Sequence, residues 1–488
     1  MLYPPSAQTL KKGAGPGHAS GACSCFGEMS APPHHDPFHP RRPHPGLSNA
    51  DAAEVAALAR ILHALSLYGP PALAEVARWE RAATALPPAH AAVLAHSLPT
   101  KAAAGRAAVA ANAAFLADLV AAVVSGAAGL GPGMASHLAT AAAIAGEAAA
   151  AGVAPAPADV EKVRYLLRNA ARDWSAAGAG ERAACYGRLV GALVQELRPP
   201  PPAGPAGEEE EEEEEAGQTQ PHPPPPARPR VLVPGAGLAR LALDLAAAGF
   251  AVEANEHSFY MLLGSAYLLN AGPTAASPAP LHPWSLSPCN RAADADQFRA
   301  VSIPDADPGA LAAGAGPGGL SMVAGEFTAV YGRGQRAPGG EQAGADAPPL
   351  FDAVATAFFL DCAPNPLAFI DAIAASLRPG GLWVNCGPLL WHWAGEEGGG
   401  GCGGGAEQEE EGAGGDSDDP TAPSAQPWPH SLELSLADVL TSAAAAGFDL
   451  VRPVEMVPGV PFNEDAACMV TTTYTAAFWV MRKRGTGR

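Results

Sequence analysis

Apolar residues recur at helical spacing through the first part of the chain, then give way after residue 230 to short apolar runs separated by helical stretches. "AAEVAALARILHALSLYG" (52–69) and "ALAEVARWERAATAL" (72–86) repeat apolar positions every three or four residues with Gly/Pro breaks between them, predicting amphipathic helices. "DVEKVRYLLRNAARDWSAAG" (159–178) predicts a third helix, with Asp159 as its N-cap and Val163, Leu166, Leu167 and Ala170 on one side. "ERAACYGRLVGALVQEL" (181–197) predicts another. From 230 the order becomes strand "VLVP", helix 238–249, strand "FAVEAN" and helix 257–270. "SMVAG" (321–325), "FDAVATAFFLD" (351–361), a helix over 365–377 and the strand "LWVNCG" (382–387) follow. A helix over 435–447 and strands near 448–455 and 474–482 finish the pattern. Strands alternating with helices imply an α/β fold with a mostly parallel sheet, which binds ligands at the carboxyl ends of its strands.

Composition divides the 488 residues further. The 55 Gly and 51 Pro concentrate in low-complexity tracts. The expected organisation is a disordered leader (1–48), a helical region (49–198), a Pro/Glu-rich linker (199–229) and an α/β domain (230–484) with disordered inserts near 332–349 and 395–428. The net charge of −20 is mostly local: Glu208–Glu215 and the acidic residues of 395–420 supply 17 of the excess negative charges. The remainder is near neutral and carries no basic stripe, which argues against a nucleic-acid partner. Eight scattered cysteines form no C-x-x-C pair, pointing to a reducing compartment and away from a structural zinc; the leader histidines (His34, His35, His39, His44) have no metal-ligand spacing. The Ala-rich 102–150 stretch reads as too weakly hydrophobic for a membrane span. Residues 1–48 lack a secretory h-region, although their basic, Pro-rich character leaves organelle targeting open.

The informative turn is "VLVPGAGLARLAL". Gly235-Ala236-Gly237 follows a strand and opens a helix, so backbone N–H groups can face a ligand closely. A dinucleotide fingerprint needs a third glycine where this chain has Arg240, which weakens the pyrophosphate reading. Glu256, 21 residues beyond Gly235 at the end of the second strand, can accept ribose hydroxyls. Strand, G-x-G turn and ribose acid together suggest the class I S-adenosyl-L-methionine methyltransferase pattern, and "LRPGGLWVNCGP" resembles the unit entering the fifth strand of such enzymes.

Longer segments narrow the resemblance. "LVPGAGLARLALDLAAAGFAVEANEHSFYMLL", "NRAADADQFRAVSIPDADP", "SMVAGEFTAVY", "VATAFFLDCAPNPLAFIDAIAASLRPGGLWVNCGPLLWHW" and "ELSLADVL" together resemble the carnosine N-methyltransferase family. "HALSLYGPPALAEVARWERAATALP" and "ARDWSAAGAGERAACY" resemble that family's N-terminal helices. The resemblance implies methyl transfer from S-adenosyl-L-methionine to an imidazole nitrogen of a histidine dipeptide. It places Gly235, Glu256, Asn169, Arg172, Glu326, Phe327 and Ala357 at the cofactor, with Asn169 in place of a family Gln and Glu326 in place of an Asp. It places Asp361, His392 and Tyr474 at the acceptor, while Thr472 stands where the family has a tyrosine. It also implies a small-molecule or dipeptide partner, a homodimer as one assembly, and a cytoplasmic or nuclear setting.

The chemistry asks little of a protein. A neutral imidazole nitrogen is nucleophilic near pH 7, so the site must align it with the sulfonium methyl and fix its tautomer. A carboxylate accepting the other ring N–H does both and stabilises the charge that develops. Asp361 suits this role; its ordinary alternative is the N-cap of the helix near Asn365. His392 could equally be a surface histidine, Tyr474 a packing residue on a strand, and Trp391 and Trp393 wall or core. Two other readings stay open: a different small imidazole or peptide acceptor, and a non-catalytic cofactor-binding scaffold.

Overall fold

The computed structural model describes Phe38 and residues 49–197, 228–315, 319–332, 351–394 and 431–485. The expected leader, linker and inserts lie almost wholly outside the described residues. Seven helices come first: α1 (Asn49–Ser66), α2 (Gly69–Thr84), α3 (Pro88–Val93), α4 (Ser97–Val124), α5 (Pro132–Ala150), α6 (Pro157–Trp174) and α7 (Ala179–Leu197). The alternating part then runs β1 (Arg230–Pro234), α8 (Arg240–Ala247), β2 (Ala251–Glu256), α9 (Phe259–Asn270), β3 (Ala279–Leu281), α10 (Asp294–Gln297), β4 (Val301–Ile303), α11 (Pro308–Ala315), β5 (Leu320–Ala324) and α12 (Phe327–Tyr331). It ends with β6 (Phe351–Ala357), α13 (Pro366–Ser376), β7 (Leu377–Gly387), α14 (Leu436–Ala445), β8 (Phe448–Leu450), β9 (Glu455–Pro461) and β10 (Thr473–Lys483).

The main sheet has the order β5-β2-β1-β6-β7-β10-β8, with β9 also on β10, while β3 and β4 form a separate pair. β5, β2, β1, β6 and β7 are parallel; β10 runs antiparallel to β7, β8 and β9. This is the α/β architecture that the alternating pattern predicts. Central strands such as β1, buried from Val231 to Pro234, read as continuous apolar runs because helices cover both faces. On one face α7 brings Leu189 and Leu193 against Val231, Val233 and Val384; on the other, Ile370, Ile373 and Val439 of α13 and α14 meet Trp383 and Trp479.

The N-terminal helices share a core with the first βαβ unit. Leu58, Leu116, Leu166 and Trp174 pack in one cluster with Leu243, Tyr260 and Leu263 of α8 and α9 and with Leu281 and Ile303 of the β3–β4 pair. Polar ties reinforce it. Arg240 donates to Asp305 (2.7 Å) and to the Asp173 carbonyl (2.8 Å), and Arg182 pairs with the same Asp305 and donates to the Ser175 carbonyl (2.8 Å). The residue that breaks the dinucleotide fingerprint therefore bolts the G-x-G turn to the helices above it.

Four expectations change. The α6 helix starts at Pro157 with Ala156 as its N-cap, because proline brings a helical φ and needs no N–H there. Asp159 is thus a buried first-turn residue facing Arg60 and the Tyr260 hydroxyl, each at 3.4 Å. The strand expected over 351–361 stops at Ala357, since Phe358 takes φ +48°, and Asp361 sits in a single 3₁₀ turn (Leu360–Cys362). The β3–β4 pair and β9 are added. Finally, α4 is more hydropathic than expected: its best window averages 2.0, so by length and composition alone it could cross a membrane. Here Phe115, Leu116, Leu119 and Val123 of that helix are buried in the shared core.

Candidate active site

Every expected site residue except Asn169 and Arg172 lies on the α/β part, and those two descend from α6. Gly235 holds φ +63°, and a Cβ there would fall 2.5 Å from Phe359 Cδ2, so only glycine fits between the turn and that ring. Gly237, at φ +52°, donates its N–H to Glu256 Oε2 (2.8 Å). Glu256 Oε1 accepts from the N–H groups of His257 (2.8 Å) and Ser258 (2.9 Å). A carboxylate offers about four lone-pair positions, so three N–H contacts fix its orientation and leave room for a ribose hydroxyl. The turn and this buried acid fit the adenosine of S-adenosyl-L-methionine.

Arg172 lies against that turn, its Nη2 4.0 Å from where a Gly237 Cβ would stand. It forms a two-pronged pair with Asp173 (2.8 and 3.0 Å), and its guanidinium stacks over Phe462 at 4.7 Å. Burial pulls the Arg172 pKa down, but Asp173, Tyr186 and Glu181 more than offset this and hold it well above the ordinary value. Glu181 accepts the backbone N–H groups of Asn463 (2.8 Å) and Glu464 (3.2 Å), fastening the loop after β9 to α7. Asn169 is buried and donates to the Tyr165 carbonyl (2.9 Å). That bond stays inside its own helix and does not join it to the turn.

The Glu326–Phe327 pair is committed elsewhere. Glu326 Oε2 caps α12, accepting from the Ala329 N–H (2.6 Å) and the Thr328 hydroxyl (2.7 Å). Phe327 is buried edge-on to Phe359 and Phe369. Ala357, the last residue of β6, pairs with Cys386 of β7, and its methyl offers no polar group.

Of the residues expected at the acceptor, Asp361 and His392 come together, with ligand atoms within 4.8 Å. Asp361 is 3% exposed, and its Oδ1 has no hydrogen-bond partner among the described residues. Burial pushes its carboxyl up to about 7, against the pull of its own N–H and that of Leu390. The helix-cap alternative is excluded, because Asn365 Oδ1 takes that role toward Leu367 (3.1 Å). The His392 N–H donates to the Asp361 carbonyl (3.1 Å), pinning the loop after β7 to the turn after β6. His392 is surface-exposed as a residue, yet surrounding protein desolvates its ring enough to lower its pKa. Trp393 donates to the Cys362 carbonyl (3.1 Å), and Trp391 to that of Leu434 (3.1 Å); both are wall residues. Burial, Asp361 and Glu256 together push the Cys362 thiol well above its usual value, placing the acceptor turn within electrostatic reach of the ribose acid.

Tyr474 enters from β10, edge-on to Phe358 at 5.7 Å, and Phe358 packs at a tilt of 31° against Phe462 at 4.7 Å. An unbroken series of contacts thus runs from Arg172 through Phe462 and Phe358 to Tyr474. Phe358, Phe462, Asp173 and Glu181 go unnoticed by the sequence reading. Only the aromatics flanking polar words, "FFLD" and "PFNED", hint at them.

The family described as carnosine N-methyltransferase matches residues 214–485. The chain belongs to that family. The carnosine N-methyltransferase of Rattus norvegicus is 33% identical over 248 residues, 51% of this chain and 52% of that protein. That of Schizosaccharomyces pombe is 30% identical over 323 residues, 66% and 71% of the two chains. The Drosophila melanogaster protein named carnosine N-methyltransferase unmet is 28% identical over 331 residues, 67% of this chain and 57% of that one. The match spans about half the length of the rodent relatives.

Proposed function

We propose that this chain transfers a methyl group from S-adenosyl-L-methionine to an imidazole nitrogen of a histidine-containing dipeptide of the carnosine type. The observation that carries the reading is Asp361: a buried carboxyl with an unpartnered oxygen among the described residues, next to His392. The cofactor, when bound, supplies an electrophilic methyl on a sulfonium, which leaves with the C–S electrons as the N–CH₃ bond forms. Glu256 and the Gly235–Gly237 turn would hold the adenosine, with Arg172 lying against that turn. Asp361 accepts the acceptor's other ring N–H, selects the tautomer whose free nitrogen attacks, and balances the ring charge that grows. It then takes that N–H proton and passes it to solvent. His392 and Tyr474 flank the acceptor, with Phe358 and Phe462 excluding water.

A second acceptor class is favoured by one observation. Thr472, where the family has a tyrosine, is exposed and brings no aromatic surface to the dipeptide's tail. A shorter imidazole compound or a different peptide would lose less there. Nucleic acid and membrane acceptors are no part of this proposal, and a cytoplasmic or nuclear setting is.

The test is transfer of labelled methyl to carnosine, homocarnosine, histidine and a His-Gly peptide, with Asp361→Asn alongside. Turnover on carnosine that falls about 10²–10³-fold in the variant is expected. Cofactor binding with no imidazole methylated overturns the acceptor class.

A further inference from the structure

A thiol stands beside the acceptor groups that methyl transfer leaves unused. Cys362 follows Asp361 directly, and one ligand atom from each of Asp361, Cys362 and His392 lies within 4.8 Å of the others. Sulfur, imidazole nitrogen and carboxylate oxygen are the donor set of zinc, and three protein ligands with a fourth position open make an exchangeable site. Asp361 Oδ1, buried and without a hydrogen-bond partner among the described residues, independently marks a place where a cation or a donor is wanted.

We infer that Asp361, Cys362 and His392 form a binding site for a zinc-type divalent cation, and that its occupation excludes the imidazole acceptor. Bonds of about 2.0–2.3 Å set the ligand atoms of a tetrahedral ion roughly 3.5 Å apart, so the cluster must tighten by roughly 1 Å. Asp361 is buried, whereas the His392 side chain is exposed although its backbone is pinned, so rotation of its ring can supply that movement. Binding releases the Cys362 thiol proton to solvent, leaving thiolate, neutral imidazole and carboxylate around the ion. Both the cation and the acceptor's ring N–H use the Asp361 carboxylate, so they compete. The exclusion rests on the methyl-transfer reading; the metal site itself does not.

Cobalt(II) is the probe. The full chain, Cys362→Ser and His392→Ala are titrated while thiolate-to-cobalt charge-transfer absorption and the visible bands of a tetrahedral ion are recorded. One equivalent of bands present in the parent, displaced by zinc and missing from both variants is expected. Identical parent and Cys362→Ser spectra overturn the site, whether blank or showing another cysteine. Circular dichroism verifies that each variant is folded, and His392→Ala, altered at an exposed position, serves if Cys362→Ser is not. The exclusion is read from zinc inhibition at one fixed dipeptide concentration, where chelation by the dipeptide is the same for both proteins. The parent's inhibition midpoint should lie roughly tenfold or more below that of Cys362→Ser. Equal midpoints overturn the exclusion. Cobalt bands in a protein that methylates no imidazole would sink the methyl-transfer reading and leave the metal site standing.

Discussion

Asp361 keeps a carboxyl where water scarcely reaches it, and the chain bears a cost for doing so. Its pKa is about 7 in the folded protein against an ordinary 3.8, so the folded chain binds this proton more tightly than the unfolded chain does. The group's contribution to stability is therefore full below about pH 4 and is lost as pH rises through about 7. Asp361→Asn removes that loss, on the order of a few kcal/mol. Above pH 7.5 the variant is expected to melt several degrees higher than the parent while methylating far more slowly; a lower melting temperature would mean that the carboxylate is paired. In the chelator-treated parent, kcat/KM should rise through pH 7 as Asp361 ionises. The variant should keep only the acceptor's own imidazole titration. Gly235→Ala tests the other half of the site. With φ +63° and Phe359 Cδ2 2.5 Å from the new Cβ, a cost of about 1–3 kcal/mol and at least a tenfold loss of cofactor affinity by calorimetry are expected. Gly235 and Glu256 stand out in sequence by their offsets from β1 and β2, whereas Asp361 and His392 rest on the family resemblance, since the strand before Asp361 ends four residues earlier than its pattern suggests. Phe462 and Glu181 do not stand out, because their value lies in contacts with residues far away in the chain, Phe358 and Asn463, for which no periodicity exists.

At the scale of elements, the acceptor side is held by a latch. Glu181 on α7 grips the N–H groups of Asn463 and Glu464, and Asp465 in the same loop pairs with Arg291 and Arg299 ahead of β4. Two distant elements thereby fix the loop that carries Phe462 against Arg172. Glu181→Ala should speed amide exchange and proteolysis across 462–472 and raise KM for the acceptor about tenfold, with the melting curve nearly unchanged. Unaltered protection of that loop would show that the Asp465 pairs suffice. The periodic elements were readable before the structure: the apolar side of α6, with Val163, Leu166, Leu167 and Ala170, is buried as its spacing predicts. The edge strand β9 was not. "EMVPGVP" carries two prolines and a glycine, tolerated only because an edge strand leaves half its backbone groups unpaired.

At the scale of the whole molecule, the described residues belong to one compact unit. Asp305 stands at the junction, receiving Arg182 from the helical part and Arg240 from the α/β part. Removing it leaves Arg182 little exposed and without its carboxylate, while Arg240 keeps the Asp244 carboxylate (2.9 Å), so Asp305→Ala should cost about 3 kcal/mol. Helical and aromatic signals should still fall in one transition, and separate melts of the two parts would refute a shared core. The alternation after residue 230 announces the sheet, but nothing in the spacing of 49–198 says that those helices must pack on α8 and α9.

That shared core bears on where the protein can be cut. The family match begins at residue 214, after the last N-terminal helix. A polypeptide started there would retain every strand, yet Leu238, Leu243, Tyr260, Leu263 and Trp284 would lose their covering and turn to water. It would also lack Arg172 and Glu181, the two anchors of the roof. The matched segment is thus not a self-sufficient folding unit: made alone, it is a recipe for inclusion bodies rather than for a smaller working protein.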